Sequence, residues 1–166
     1  MPWLDGFAPT SPPSTFRKLI ADACMHEKDM CQFDVPGAYL KGKLQPGDPH
    51  IFVRPPKHLR TSVDGVPVVW KVCTSWYGEV CAGAIWHRTF IDEGKSRGYR
   101  QSEYDPCHMY KVYPDGSRCD ICLYVDDGFV TMSRNSEQAK ADFNALMIQW
   151  CPRWWPSCRR PRTTSR

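Results

Sequence analysis

No stretch of this chain approaches the roughly 18 consecutive apolar residues that a membrane-crossing helix requires, which argues against a spanning helix. The first residues, Met1-Pro2-Trp3-Leu4-Asp5, lack the basic and apolar regions of a secretory leader. Both absences point to a soluble, intracellular protein, with cytoplasm and nucleus left open. A glycine-rich phosphate loop and a Walker-type Gly-Lys-Ser are also missing, which disfavours an unrelated phosphotransferase or nucleotide cyclase. There is no internal repeat. The nine cysteines are odd in number and sit largely inside apolar stretches such as Ile121-Cys122-Leu123. They read as reduced core residues and not as a disulfide framework. Cys119 and Cys122 cannot share a metal from one strand, because positions i and i+3 point to opposite faces, and no second pair has ligand spacing. Zinc is therefore not expected. The histidines, His87 and His108 among them, likewise show no ligand spacing.

Acidic side chains are absent from one region. Residues 150–166 hold five arginines and no Asp or Glu, so the formal net charge of +4 comes from the tail. Without those five, residues 1–149 carry 17 basic against 18 acidic side chains. The body is no basic platform for nucleic acid, and any such contact must come from local clusters. With 166 residues, 42% of them hydrophobic, the chain is sized for one domain with a real core. Residues 1–13, rich in Pro and Ser, read as a loose leader, and 14–150 as the domain. Residues 151–166 follow as an arginine-rich tail in which Trp154-Trp155 carries no period and no expected fold.

What stands out is Tyr124-Val125-Asp126-Asp127, set between the apolar stretches 121–123 and 129–130. Two like charges about 4 Å apart repel by about 4 kcal/mol at an effective dielectric of 20, so such a tip needs either solvent or a cation. Asp126-Asp127-Gly128 is also good turn sequence, and alone it closes a hairpin without further meaning. A second carboxylate in a similar setting changes the balance: Asp34 ends the run Met30-Cys31-Gln32-Phe33. If the two strands lie side by side, Asp34 and Asp126 meet at one sheet edge. That is a layout in which paired metal ions about 3.5–4 Å apart clamp the oxygens of a phosphoryl transfer.

Phe16, Leu19, Ile20, Ala23 and Cys24 recur at helical spacing behind the capping candidates Ser14 and Thr15. Residues 30–35 read as a buried strand suited to the middle of a sheet, with Cys31, Phe33 and Val35 on one face. A long excursion follows, with a short strand at 50–53 and a turn at Asp64-Gly65 leading into 66–72. Ala82, Ile85, Trp86, Thr89 and Phe90 mark a second helix ending near Gly94 or Gly98. Residues 107–113, 119–125 and 129–132 form an antiparallel meander. A last helix is capped by Asn135 or Ser136, with Phe143, Leu146, Met147 and Trp150 on one face. The expected class is α+β, an antiparallel sheet with helices packed on one face.

These residues, taken in series, resemble the reverse transcriptase domain of copia-type retrotransposons. Phe7-Ala8-Pro9 looks like the family's entry motif. Gln32-Phe33-Asp34-Val35 with Ala38-Tyr39-Leu40-Lys41-Gly42 resembles its first catalytic block, and Tyr124-Val125-Asp126-Asp127 its catalytic hairpin. Ser75-Trp76-Tyr77-Gly78, Trp86 and Asp105-Pro106-Cys107 fall between them in the family's order. The resemblance implies a polymerase palm-like domain, with fingers and thumb largely missing. Asp34 and Asp126 would bridge Mg2+ or Mn2+ with Asp127 assisting. Tyr39 would lie beneath the nucleotide sugar and Tyr124 beside the primer end. The implied partners are an RNA or DNA template-primer and deoxynucleotide triphosphates. The chain departs from the pattern at Val80, Cys81, Gly83 and Ala84, where the family usually carries lysine, glutamine, proline and arginine. Losing both cations and the amide removes charge-assisted contacts to phosphate and base. The resemblance thus leaves two expectations: an RNA-directed DNA polymerase domain, or a catalytically inactive, nucleic-acid-binding remnant of one.

Overall fold

The computed structural model describes residues 6–150, so the arginine-rich tail lies outside the described residues. In chain order come α1 (Pro13–Met25), β1 (Asp29–Asp34), a 3-10 helix (Ala38–Lys41), β2 (Phe52–Val53), a second 3-10 turn (Lys57–Leu59), β3 (Ser62–Val63), β4 (Val66–Pro67) and β5 (Trp70–Lys71). Then follow α2 (Ala82–Ser96), β6 (Arg100–Gln101), β7 (His108–Val112), β8 (Arg118–Tyr124), β9 (Asp127–Met132) and α3 (Glu137–Trp150). Five strands form one antiparallel sheet in the order β1-β9-β8-β7-β6, while β2 pairs β5 and β3 pairs β4 in two small ribbons. This is the expected α+β class. Among the described residues no helix is long and apolar enough to cross a membrane.

The helices do not share one face, contrary to expectation. Phe33 of β1 stacks on Phe90 of α2 at 6.1 Å and meets Phe143 of α3 at 5.9 Å, which places α2 and α3 on one side of the sheet. Phe129 pairs in register with Gln32, so its side chain points to the opposite side, and there it meets Phe16 of α1 at 6.3 Å. The cause lies in β8, whose residues Cys119 to Leu123 are all buried. A strand apolar on both faces needs cover on both.

Other expectations also give way to packing. β1 lies at the sheet edge and pairs with β9, not in the middle, and with no second neighbour strand only Phe33 of its six residues is buried. Neither Ser14 nor Thr15 caps α1. The helix opens at Pro12-Pro13 with no side-chain cap, since proline presets the helical φ and its missing N–H would have no partner there. The segment read as a loose leader is anchored over its described part. Ser11 is buried and donates to Asp105 at 2.5 Å, and the Cys107 thiol donates to the Pro9 carbonyl at 3.2 Å. The strand expected over 66–72 is split. Asp64 and Gly65 take left-handed φ values of 49° and 77° and close a β3–β4 hairpin, after which Trp70-Lys71 turns to pair with β2. Ser136, not Asn135, caps α3, its hydroxyl accepting from the Ala139 amide at 3.2 Å.

One buried charge cluster ties the α1 side together. Asp120, 1% exposed, accepts from Arg118 Nε at 2.8 Å and Nη2 at 2.7 Å, contacts His108 Nε2 at 2.9 Å, and lies 3.7 Å from Lys28 just beyond α1. Burial alone would raise the Asp120 pKa, but the hydrogen bonds and charges of His108 and Arg118 outweigh it and bring it to about 2. Because that value lies below the ordinary 3.8, the stabilisation is complete above about pH 4 and fades as the pH falls toward about 2. Asp120→Asn is expected to lower the unfolding free energy by about 3 kcal/mol at pH 7, since it removes the buried anion that Arg118, His108 and Lys28 share. Urea titrations should show that deficit shrinking as the pH is lowered from about 4 to about 2.

Four of the described cysteines, Cys81, Cys107, Cys119 and Cys122, form a second group of buried residues, whereas Cys24 and Cys73 are exposed, contrary to the expectation of core positions. Burial pushes the Cys81 and Cys122 thiols up to about 11 and those of Cys107 and Cys119 to about 12. Cys119 and Cys122 point to opposite faces, the first beside the Tyr99 hydroxyl and the second beside that of Ser11. Brief iodoacetamide treatment of the native protein at pH 8 should therefore label the exposed Cys24 and Cys73 well before these four, as peptide mapping would reveal.

Candidate active site

β8 and β9 are joined by a two-residue turn, Val125-Asp126, with Tyr124 and Asp127 as the last paired residues. The turn is therefore not the Asp-Asp-Gly tripeptide that the sequence suggests. Asp127 and Gly128 are already in the ladder, and Val125 takes the left-handed φ of 58° that glycine or asparagine usually supplies. On the other side, β9 pairs with β1 so that Asp34 lies directly opposite Asp127. The backbone N–H of Val35 donates to the Asp126 carbonyl at 2.9 Å, and the Trp86 indole N–H donates to the Val125 carbonyl at 2.7 Å. All three carboxylates thus reach one end of the sheet. The register partner of Asp34 is Asp127, while Asp126 sits one step away in the turn.

The three carboxylates are exposed. Like charges directly opposite each other destabilise a sheet, so the Asp34–Asp127 pair favours solvent or a cation at this edge. Both line a cavity of about 600 Å³ together with Phe16, Gln32, Phe33, Tyr124, Gly128 and Phe129. Tyr124 forms one wall, about half exposed, with its ring 6.4 Å from that of Phe16 in an edge-on contact. Asp126 does not line this cavity. Neither does Tyr39, which lies in the 3-10 helix beyond β1. Its ring is 5.0 Å from that of Tyr77, and its carbonyl accepts a hydrogen bond from Ser75. The left-handed Gly37, at φ 66°, starts the 3-10 helix that carries Tyr39 there.

Sequence reasoning missed Gln32, Phe16 and Gly128. The signal for Gln32 was present: it lies two residues before Asp34 and so on the same face of β1. Phe16 looked like core, yet it closes the cavity from a helix on the carboxylate side. Gly128 is in register with Phe33, and a Cβ there would overlap the Phe33 ring. The departures from the family pattern also have visible settings. Val80 is 83% exposed, the Cys81 thiol donates to Glu79 at 3.0 Å, and Gly83 lies against Ala8 and the Tyr39 hydroxyl. Among the described residues, no group of three or more His, Cys, Asp or Glu side chains is arranged to hold a metal ion.

The fold and site define an α+β protein whose antiparallel sheet brings Asp34 and Asp127 together beside an open cavity, with Asp126 in the adjoining turn. A family model described as reverse transcriptase (RNA-dependent DNA polymerase) matches residues 1–149, and the chain belongs to that family. It is 27% identical over 121 residues to the retrovirus-related Pol polyprotein from transposon TNT 1-94 of Nicotiana tabacum, which supports the copia-type resemblance. That match covers 73% of this chain and 9% of the polyprotein, so the chain spans a small part of its curated relative. No solved structure matches.

The Phe33 ring is 3% exposed and wedged between Phe90 and Phe143, so it has no room to retreat from a new methyl group. Gly128→Ala is therefore expected to cost about 1–3 kcal/mol in chemical denaturation, with NMR shift changes centred on β1 and β9.

Proposed function

We propose that the acidic sheet end is the metal centre of a nucleotidyl transfer that extends a primer 3′-hydroxyl with deoxynucleotides on an RNA or DNA template. The observation that carries this reading is the in-register opposition of Asp34 and Asp127 in the lining of a cavity of about 600 Å³, in a chain of the reverse transcriptase family. In this reading the sheet acts as a polymerase palm.

The donor set suits Mg2+ or Mn2+. Carboxylate oxygens are hard donors, and Mg2+ keeps several waters and is usually held by one or two carboxylates plus substrate phosphates, not by a closed protein cage. An open edge without a preformed three-ligand group is compatible with that habit. Asp34 and Asp127 would offer oxygens from the cavity lining and Asp126 from the adjoining turn, so that Asp126 can bridge with Asp34 as the family resemblance implies while Asp127 assists. Bound ions of this kind supply a more acidic primer hydroxyl and charge stabilisation on the departing pyrophosphate. Tyr124, standing on the cavity wall, would orient the primer end. Tyr39 is assigned to the sugar side of the nucleotide by family resemblance.

A second reading has its own support. Val80, Cys81, Gly83 and Ala84 offer no cation or amide for the triphosphate, and no three-ligand metal group is preformed among the described residues. On this view the chain keeps the carboxylates as a remnant that binds nucleic acid without extending a primer. Primer extension on an RNA template with Mg2+ or Mn2+ separates the two. Catalysis predicts incorporation that Asp34→Asn and Asp127→Asn each reduce by about 100-fold or more. Absence of incorporation by folded protein that still retards a primer-template in a gel would establish the remnant.

A further inference from the structure

We infer that Trp86 is a positioning residue whose indole N–H, by holding the Val125 carbonyl, fixes the turn that carries Asp126 and leads into Asp127. The consequence for metal binding rests on the function proposed above; the mechanical claim does not. Val125 is β-branched yet adopts φ 58°, a conformation such residues rarely occupy. The turn sequence itself therefore does not select this geometry, and contacts from outside must hold it.

Two such contacts exist, and each takes one carbonyl of the turn. Val35, just past β1, donates to the Asp126 carbonyl at 2.9 Å. Trp86, from α2, donates to the Val125 carbonyl at 2.7 Å. The indole is 1% exposed, with its ring 5.7 Å from that of Phe90 and 5.2 Å from that of Trp150 in an edge-on contact. It is thus a donor with little freedom to turn. Fixing the Val125 carbonyl fixes the peptide plane that continues into the Asp126 amide, and so the direction in which residues 126 and 127 leave the turn. A merely satisfied core tryptophan would stabilise the protein as a whole; a positioning donor acts locally, on the turn and the carboxylates beside it.

The experiment compares the full chain with Trp86→Phe, which keeps an aromatic ring and removes the donor, and with Trp86→Phe/Val125→Gly, in which glycine adopts positive φ unaided. Hydrogen exchange at the Val35 amide reports the turn, and exchange at Met109 and Ile121 reports global opening. With Trp86→Phe, the Val35 amide should lose about tenfold more protection than Met109 and Ile121 lose. Mn2+ broadening of the Asp34 and Asp127 resonances should need about fivefold more metal. Val125→Gly should return both readouts to within about twofold of the parent. Equal loss of protection at all three amides, or no rescue by glycine, would overturn the inference. If the Phe variant does not fold, benzothienylalanine at position 86 preserves the shape without the N–H and should give the same pattern. If the parent chain shows no localised Mn2+ broadening, the metal reading fails, while the exchange pattern still decides the role of Trp86.

Discussion

The site depends on the register of one strand pair. β1 and β9 run antiparallel with Asp34 opposite Asp127, and a slip of one residue would turn Asp34 and Gln32 toward the aromatic core and the Phe33 ring toward the α1 side. Burial prevents that slip. Phe33 lies between Phe90 and Phe143 on the side where α2 and α3 pack, and that anchorage holds the next residue, Asp34, on the opposite, open side. The carboxylate is exposed because its neighbour is buried.

Gly128 is the counterpart of Phe33 on β9. The ring lies across the glycine, which lets the edge strand approach closely and lets Asp127, one residue earlier, stand beside Asp34. The turn then completes the arrangement under constraint from two other elements, α2 and the end of β1. None of these pieces is adjacent in sequence. Residues near 33, 86, 125 and 143 must pack together before the acidic end acquires its shape.

That dispersion explains what could and could not be read beforehand. The apolar stretches within 119–132, the helical spacing of 82–96 and 137–150, and the acidic residues at 34, 126 and 127 are local signals, and the corresponding elements are where they indicate. The position of β1 at the edge and the division of helices between faces depend on tertiary pairing, which local periodicity does not encode. The turn was misassigned because Asp-Asp-Gly is the better turn by propensity. Val125 occupies the left-handed position because tertiary hydrogen bonds override that preference. Tyr39 draws its place from the 3-10 helix beyond β1, where its ring packs on Tyr77 and is not among the residues lining the carboxylate cavity.

Carboxylates on the α1 side of the same sheet meet two different fates. Asp120 points to that side from the middle of β8, is buried, and is matched by Arg118, His108 and Lys28. Asp34 and Asp127 point to the same side at the sheet end and remain exposed beside a cavity. Burying a carboxylate demands permanent partners, and a carboxylate so paired offers little to a ligand. An exposed like-charged pair in register costs stability and gains from any cation that arrives. The division of labour is therefore electrostatic: the centre of the sheet neutralises its acid to hold the fold, and the end of the sheet keeps its acids exposed beside the cavity.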